Sequence, residues 1–302
     1  MSIEINSEKG RKLAEILHNS FSTVGIFGRT EMPEDVIPKG IQRGSQDHLL
    51  FITFSVSIDY TREAPQLWES AKNTYEDPET RYLFNPESVY ETSFNKIRLD
   101  MQKHKLSKKY NKDAQIWRTI ALTFYKKWDN DPLNFIEDCD YDSLTILRRL
   151  RYDTHEYNGK SFNDFRNLRG DKIGPLWVRM LRDNVGINKL KRLDKVPIPV
   201  DRHIAKASLT TGIVSGVYNG RLEGIFEIIR EAWFESVQGL KVGKRDMIAL
   251  DVDEPLWHLS KYGCKNRDKL TGKCTVFNLC EAREYCINGE INVKKDNISM
   301  RT

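Results

Sequence analysis

The sequence lacks the features that mark several large classes of protein. No run approaches the ~18 apolar residues of a membrane span, and the opening segment MSIEINSEKGRKLAE contains no apolar signal stretch. Internal repeats and low-complexity tracts are also missing. These absences argue against a membrane, secreted or fibrous protein. We therefore expect a soluble protein of the cytoplasm, associated with the nucleoid if the source is prokaryotic.

The composition is that of a globular chain with a small positive charge. Its 302 residues are 39 % hydrophobic and 10 % aromatic, which is enough to bury a sizeable core. The length allows one large domain or two smaller ones. There are 48 Lys and Arg against 43 Asp and Glu, a formal net charge of +5. This excess permits nucleic-acid binding but does not demonstrate it.

Helical periodicity dominates, and strand signals are few. Apolar residues recur at helical spacing in four stretches, and their simplest interpretation is core packing. The run LLFITFSVSI (49–58) fits either a lone strand or a buried helix that starts near Ser45. Residues 288–302 read as a frayed polar tail. The four periodic stretches are residues 7–19, 112–128, 141–151 and 220–234.

Four of the five cysteines lie within 23 residues near the C-terminus, separated by nine, five and five residues. Cys139 stands apart, and we assign it no role. Clustered cysteines in an intracellular protein more often bind metal than form disulfides. Zinc sites usually contain a close Cys-x-x-Cys pair, which is absent here. The wide gaps favour an iron–sulfur cluster, with zinc, disulfides or free thiols as alternatives. The four cysteines are Cys264, Cys274, Cys280 and Cys286.

The segment NLRGDKIGPLWVRML (167–181) predicts a glycine-containing hairpin followed by a helix. Gly170 and Gly174 bracket the turn, and Leu176, Trp177 and Met180 begin a packed helix. Backbone N–H groups at such a turn and helix start bind phosphate oxygens well. Taken alone the signal is weak, because glycine loops often precede helices.

The segment VPIPVDRHIAKASL (196–209) places an aspartate at a predicted helix start. Pro197 and Pro199 hold the backbone extended, and Asp201 follows them. An N-cap is the structural interpretation of Asp201. A carboxylate held at a helix N-terminus also suits a reaction that passes through a cationic sugar.

Together, the glycine hairpin, the VDRH element (200–203) and the four-cysteine loop resemble the helix-hairpin-helix DNA glycosylases, in their iron–sulfur branch that includes endonuclease III. Two further segments, AQIWRTIALTFYKKW (114–128) and PLWHLSKYGC (255–264), are similar to the family at the level of pattern. The resemblance covers roughly residues 45–290.

The resemblance implies an all-α fold of two helical domains with a DNA groove between them. A six-helix barrel carrying the helix-hairpin-helix would occupy residues 46–190. Residues 1–45 and 191–302 would form the domain that holds a [4Fe–4S] cluster on the four cysteines. The partner would be double-stranded DNA containing a modified base, bound by a monomer.

The resemblance also implies roles for individual residues. Asp201 would be the catalytic carboxylate. Lysines of the cysteine loop would face phosphate, together with Arg267. The base pocket would be lined by Ser55, Val56, Ser57 and Asp59. DNA would be contacted by Gly170, Lys172, Gly174, Arg202 and His203.

The hairpin departs from the family at its catalytic lysine. Members that also cleave the DNA backbone carry a lysine that attacks C1′ and forms a Schiff base. Here Gly174 stands at that position, and Lys172 lies two residues earlier. The cysteine spacing also differs from the family's Cys-x6-Cys-x2-Cys-x5-Cys, except in its last interval. We therefore expect a DNA glycosylase that uses water. The alternatives are a glycosylase and lyase that uses Lys172 or another lysine, and a DNA-binding protein without chemistry.

Overall fold

The fold is described here from a computed structural model that covers residues 2–157, 159–294 and 296–302. Helices dominate these residues, so the predicted all-α class is confirmed, with small antiparallel sheets added to it. The helices are α1 (Ser7–Thr23), α2 (Gln46–Ser57), α3 (Ala64–Glu76), α4 (Pro86–Glu91), α5 (Phe94–Lys103), α6 (Tyr110–Lys127), α7 (Pro132–Asp138), α8 (Ser143–Tyr152), α9 (Ile173–Met180), α10 (Arg202–Thr210), α11 (Phe226–Ser236) and α12 (Asp253–His258). The strands are β1 (Ser2–Ile5), β2 (Thr154–Tyr157), β3 (Lys160–Asn163), β4 (Val214–Arg221), β5 (Lys241–Val242), β6 (Arg245–Asp246), β7 (Glu290–Lys294) and β8 (Asn297–Arg301).

The chain divides into two compact units. Met32–Leu193 forms one, called here the hairpin unit, and Met1–Glu31 with Asp194–Thr302 forms the other, called the cysteine unit. The corresponding boundaries predicted from the sequence are 45/46 and 190/191. None of the helices described combines the length and apolar character needed to cross a bilayer.

The core of the hairpin unit is built around α2. Ser45 caps this helix by accepting a hydrogen bond from the backbone N–H of His48 at 3.2 Å, so the helical interpretation of residues 49–58 is confirmed. Phe54 stacks on Trp117 of α6 with ring centroids 4.8 Å apart. The indole of Trp177 donates to the Thr53 hydroxyl at 3.0 Å, which joins α9 to α2. Helix α2 is buried on all sides, which explains why its sequence shows no helical stripe.

The cysteine unit combines helices with a four-stranded antiparallel sheet in the order β1-β4-β8-β7. The prediction of a frayed tail at 288–302 is wrong, because β7 and β8 occupy most of that segment. Ile291, Ile298 and Met300 are at most 4 % exposed, so burial of alternate side chains holds these strands in place. The helix predicted over 220–234 begins later than expected, because β4 extends to Arg221 and α11 starts only at Phe226.

The glycine hairpin is reached through a β-hairpin that the sequence analysis did not predict. After α8 the chain forms β2 and β3, then a series of turns over 164–172, and then α9. Gly170 lies in the turn, whereas Gly174 is the second residue of α9. The two glycines therefore do not bracket the turn, because the helix has already begun at Ile173.

Gly174 sits where the backbone leaves no room for a side chain. A Cβ atom there would lie 2.9 Å from the Leu168 carbonyl oxygen and 3.1 Å from Leu147 Cδ2. At Gly170 the nearest atom to such a Cβ is the Asn167 carbonyl oxygen at 3.6 Å, an ordinary contact. A side chain at position 174, where the predicted alignment places the lysine of backbone-cleaving glycosylases, would thus require the Leu168 carbonyl to shift.

A buried ion pair holds the end of α9. Arg179 is fully buried and donates to the carboxylate of Glu34, which is 3 % exposed. Burial raises the pKa of Glu34, and the charge of Arg179 opposes that effect. Nearby, Asn184 donates to Asp35 at 2.8 Å, and Arg43 donates to the Asn184 carbonyl at 2.9 Å. The segment following Met32 is therefore tied to α9.

Replacing Arg179 by Met is expected to destabilise the protein by about 3–5 kcal/mol, because Glu34 stays buried without its cation. The double variant Glu34→Gln/Arg179→Met should recover part of that loss. Urea unfolding followed by circular dichroism measures both. Equal stability of Arg179→Met and the wild type would contradict the importance of the pair.

Gly174→Ala is expected to cost about 1–3 kcal/mol, because its methyl group meets the Leu168 carbonyl. The matched control is Gly170→Ala, for which we expect a change within about 0.5 kcal/mol. The same urea titration compares the two variants. An unchanged urea midpoint for Gly174→Ala would show that the Leu168 carbonyl moves aside at little cost in stability.

Candidate catalytic, DNA-binding and cofactor residues

Asp201 lies at the N-terminus of α10, in the cysteine unit. Its Oδ1 accepts hydrogen bonds from the backbone N–H groups of His203 at 2.7 Å and Ile204 at 3.0 Å. Ile198 and Val200, which precede it, are fully buried and anchor the extended segment. The N-cap predicted for Asp201 is confirmed, and the carboxylate is held in one orientation on a rigid element.

The two residues that follow Asp201 differ in their surroundings. Arg202 is exposed. The His203 ring is partly buried, with Nδ1 3.2 Å from the Ser260 hydroxyl and its centroid 5.8 Å from that of Trp257. The Asp201 carboxylate is thus followed by one exposed guanidinium and one imidazole packed against α12. Contact of either residue with DNA stays a prediction.

Two residues predicted from separate segments meet in the hairpin unit. Lys172 directly precedes α9, and its Nζ lies 3.2 Å from Asp59 Oδ2 and 3.4 Å from the Asp59 carbonyl oxygen. Asp59 is 8 % exposed and follows the end of α2. Positions 113 residues apart, one assigned to the base pocket and one to the hairpin, therefore form an ion pair.

The other three predicted pocket residues are fully buried in α2: Ser55, Val56 and Ser57. The Ser57 hydroxyl donates to the Phe54 carbonyl at 2.7 Å. The Ser55 hydroxyl has no hydrogen-bond partner among the residues that the structure describes. Their assignment to a base pocket stays a prediction, and Asp59, at 8 % exposed, is the least buried of the four.

Asn167 is a residue of this region that the sequence analysis did not single out. It has a φ of +73°, a left-handed conformation that asparagine tolerates better than most residues. Its side-chain amide donates to the Ser57 carbonyl, which joins the glycine turn to the end of α2. An asparagine just before a glycine turn was the available signal.

The four clustered cysteines are all reduced and lie in a loop of short turns. Cys264 and Cys280 are about 5 % exposed, and Cys274 and Cys286 are partly exposed. The thiol of Cys264 interacts electrostatically with the other three. Across the residues described, no three His, Cys, Asp or Glu side chains are grouped so as to hold a metal ion. The four thiols are the ligand type of an iron–sulfur cluster, but the structure does not group them as a metal site, so the cluster stays a prediction.

The surroundings of the thiols are partly basic. Burial raises the pKa of Cys280 to about 12, and burial together with neighbouring cysteines raises that of Cys264. Lys206 of α10 interacts with Cys264, and Lys9 of α1 interacts with Cys286. Burial lowers the pKa of both lysines, and the cysteine charge opposes this. Two amines therefore stand within electrostatic range of the ligands that a metal would need deprotonated.

One basic residue of the cysteine loop was assigned wrongly. Arg267 is 6 % exposed and donates to the carbonyls of Ile287 at 3.0 Å and Gly289 at 2.8 Å. Its guanidinium holds the loop closed, so it does not face phosphate. Lys265, Lys269 and Lys273 are exposed, as a DNA-facing role would require.

Comparison with known proteins gives matches in structure and none in sequence. No protein-family model matches the chain, and no curated protein matches it. A structure of endonuclease III trapped as a covalent intermediate with DNA is similar at a TM-score of 0.53 and 11 % identity, over 93 % of this chain and 99 % of that chain. A thermostable thymine-DNA glycosylase is similar at a TM-score of 0.47 and 13 % identity, over 92 % of this chain and 98 % of that one.

At this identity the similarity to endonuclease III is one of fold. It spans nearly the whole of both chains, so it covers both units rather than a shared fragment. The predicted resemblance is therefore confirmed at the level of the fold, which is similar to that of endonuclease III.

Proposed function

We propose that this protein is a DNA glycosylase that hydrolyses the N-glycosidic bond of a modified base flipped out of duplex DNA. The observation that carries the proposal is Asp201, held at the start of α10 by two backbone N–H groups. The likeness in fold to endonuclease III, which was captured in a covalent intermediate with DNA, supports double-stranded DNA as the partner.

The chemistry follows from the charge that develops on the sugar. Extruding a base costs a few kcal/mol, and less for a damaged or mispaired base. As the glycosidic bond breaks, positive charge develops at C1′. The Asp201 carboxylate would stabilise that charge and orient or deprotonate the attacking water. The two N-cap hydrogen bonds hold the carboxylate in place before the reaction begins. The carboxylate therefore need not reorient as the glycosidic bond breaks.

We favour water over lysine as the nucleophile. A lysine attacks C1′ as the uncharged amine, and the ion pair between Lys172 and Asp59 opposes loss of its proton. Gly174 offers no side chain in its place. A glycosylase and lyase that uses Lys172 is the first alternative, and a DNA-binding protein without chemistry is the second.

Asp201→Asn is expected to abolish base release while leaving DNA binding largely intact. Asparagine is as good an N-cap as aspartate, so α10 should keep its start while the negative charge is lost. The measurement is the yield of alkali-labile sites from a panel of duplexes, each with one modified base. Asp194→Asn, an exposed aspartate of the same unit, is the matched control and should release base at the wild-type rate.

Undiminished base release by Asp201→Asn would reject the assignment of that carboxylate. If no duplex in the panel acquires abasic sites with the wild-type protein but all are bound, the binding-only alternative is correct. Borohydride treatment separates the remaining two mechanisms. A trapped protein–DNA adduct that disappears in Lys172→Gln would establish the lyase, and its absence is expected for the water mechanism.

We further propose that Cys264, Cys274, Cys280 and Cys286 hold a [4Fe–4S] cluster. In such a cluster each thiolate ligates a different iron, so the four sulfurs need not converge on one point. The mutual interaction of the thiols and the nearby lysines support this donor set. When bound, the cluster would fix the shape of the loop, and the residues of the loop would present lysines to phosphate.

Protein purified without oxygen is expected to contain about four irons and to absorb broadly near ~400 nm. Cys280→Ser should lower both iron content and absorbance, because it removes a buried ligand. Cys139→Ser is the control and should leave both unchanged, since Cys139 belongs to the other unit. Stoichiometric zinc in place of iron would overturn the cluster assignment.

A further inference from the structure

A cleft of about 880 Å³ opens on the hairpin unit, and none of the residues that line it is assigned above to catalysis, DNA binding or the base pocket. It is bounded by α6, by the junction of α4 and α5, and by the β2–β3 hairpin. Small-molecule sites commonly occupy roughly 300–1,000 Å³. The cleft is therefore large enough for a ligand of one or two nucleotides.

The walls of the cleft are largely aromatic. Tyr90 and Phe94 line one side, and His155 and Phe162 of the β-hairpin line the other. The rings of His155 and Phe162 are stacked, with centroids 5.9 Å apart and planes 24° apart. Phe162 is 37 % exposed, so part of its ring is accessible to a ligand. Such faces suit a planar aromatic ligand.

The β-hairpin wall is fixed in place. Asp164 accepts from Lys127 at 2.6 Å and lies 2.8 Å from His155 Nδ1, with its carboxylate 1 % exposed. The backbone carbonyl of Asp164 also accepts from the Thr123 hydroxyl at 2.8 Å. These bonds tie the hairpin to α6, so the cleft is preformed.

The floor of the cleft is one face of α6, which presents four polar or charged residues together with Leu122. Asn111, Gln115 and Thr119 recur at a spacing of four, and Arg118 lies beside them. Arg118 is partly buried, yet among the residues that the structure describes its guanidinium has no hydrogen-bond or ion-pair partner. An anion bound in the cleft would give this guanidinium an ionic partner. Guanidinium groups match phosphate geometry well.

The positive charge near Tyr90 also favours an anionic ligand. The Lys126 ammonium lies 4.6 Å from the centroid of the Tyr90 ring and 4.5 Å from that of Tyr125. The negative charge of Asp164, in contrast, is already matched by Lys127. The cleft thus offers aromatic faces, amide groups and an unmatched positive charge within one enclosure.

We propose that this cleft binds a nucleotide, with the base stacked on the aromatic walls and a phosphate on Arg118. The amides of Asn111 and Gln115 would hydrogen-bond the edge of the base. The same chemistry is offered by a free nucleoside monophosphate and by a nucleotide within a single-stranded DNA segment. The proposal uses no residue of the proposed glycosylase chemistry.

Isothermal titration calorimetry on the full-length protein tests the site, with AMP, adenosine, inorganic phosphate and a single-stranded pentadeoxyadenylate as ligands. We expect AMP to bind at least tenfold more tightly than adenosine or phosphate. Arg118→Gln should remove that advantage, and Phe162→Ala should weaken AMP and adenosine alike. Arg148→Gln, an exposed arginine of the same unit, is the matched control and should bind AMP as the wild type does.

The pentanucleotide distinguishes the two sources. Binding at least tenfold tighter than AMP, with the same loss in Arg118→Gln, identifies a DNA strand as the occupant, whereas weaker binding identifies a free nucleotide. The proposal is overturned if neither ligand binds, or if binding is unchanged in both Arg118→Gln and Phe162→Ala. Titration of Asp201→Asn should give wild-type affinity for AMP, so failure of the glycosylase assignment would leave this result intact.

Discussion

The hairpin unit depends on the buried pair between Glu34 and Arg179. Each charge alone would be strongly disfavoured away from water, and together they fix the end of α9 against the segment that follows Met32. Because α9 is short and rigid, holding its last turn also places its first turn. Lys172 stands at that first turn and contacts Asp59 at the end of α2. A buried ion pair at the last turn of α9 thus contributes to the geometry of the glycine hairpin at its first turn.

Much of the helical architecture was predictable from the sequence, because amphipathic helices carry their burial pattern in their periodicity. The stretches 7–19 and 141–151 lie almost wholly within α1 and α8. The sheet was not predicted, since β1 pairs with β4 across more than 200 residues and no local signal specifies such a partner. At the C-terminus a weak period of two was present in Ile298 and Met300, but the surrounding polar residues obscured it.

Some residues of the candidate site could be predicted from the sequence and others could not, because only some of them depend on neighbours in sequence. Asp201 could be placed because an N-cap depends on its immediate neighbours in sequence. The ion pair of Lys172 with Asp59 could not be foreseen, because it depends on how α2 and α9 pack. Arg267 shows the opposite error: a positive charge in a basic loop suggested phosphate, whereas its guanidinium satisfies carbonyl groups of the loop. The sequence shows the charge of a residue directly, whereas the group that this charge contacts depends on the fold.

The steric limit at Gly174 and the ion pair of Lys172 with Asp59 both lie in the glycine hairpin. A Cβ atom at Gly174 would lie 2.9 Å from the Leu168 carbonyl oxygen, so any side chain there would require that carbonyl to move. Gly174 is the position that the predicted alignment matches to the lysine of backbone-cleaving glycosylases. The lysine that this chain does carry lies just before the helix, where it is paired with a carboxylate. In that position its positive charge can hold the hairpin to α2, while nucleophilic attack would require breaking the pair and losing a proton. This packing is the reason that the proposed mechanism uses water rather than Lys172 as the nucleophile, with Asp201 as the carboxylate proposed to stabilise the cationic sugar.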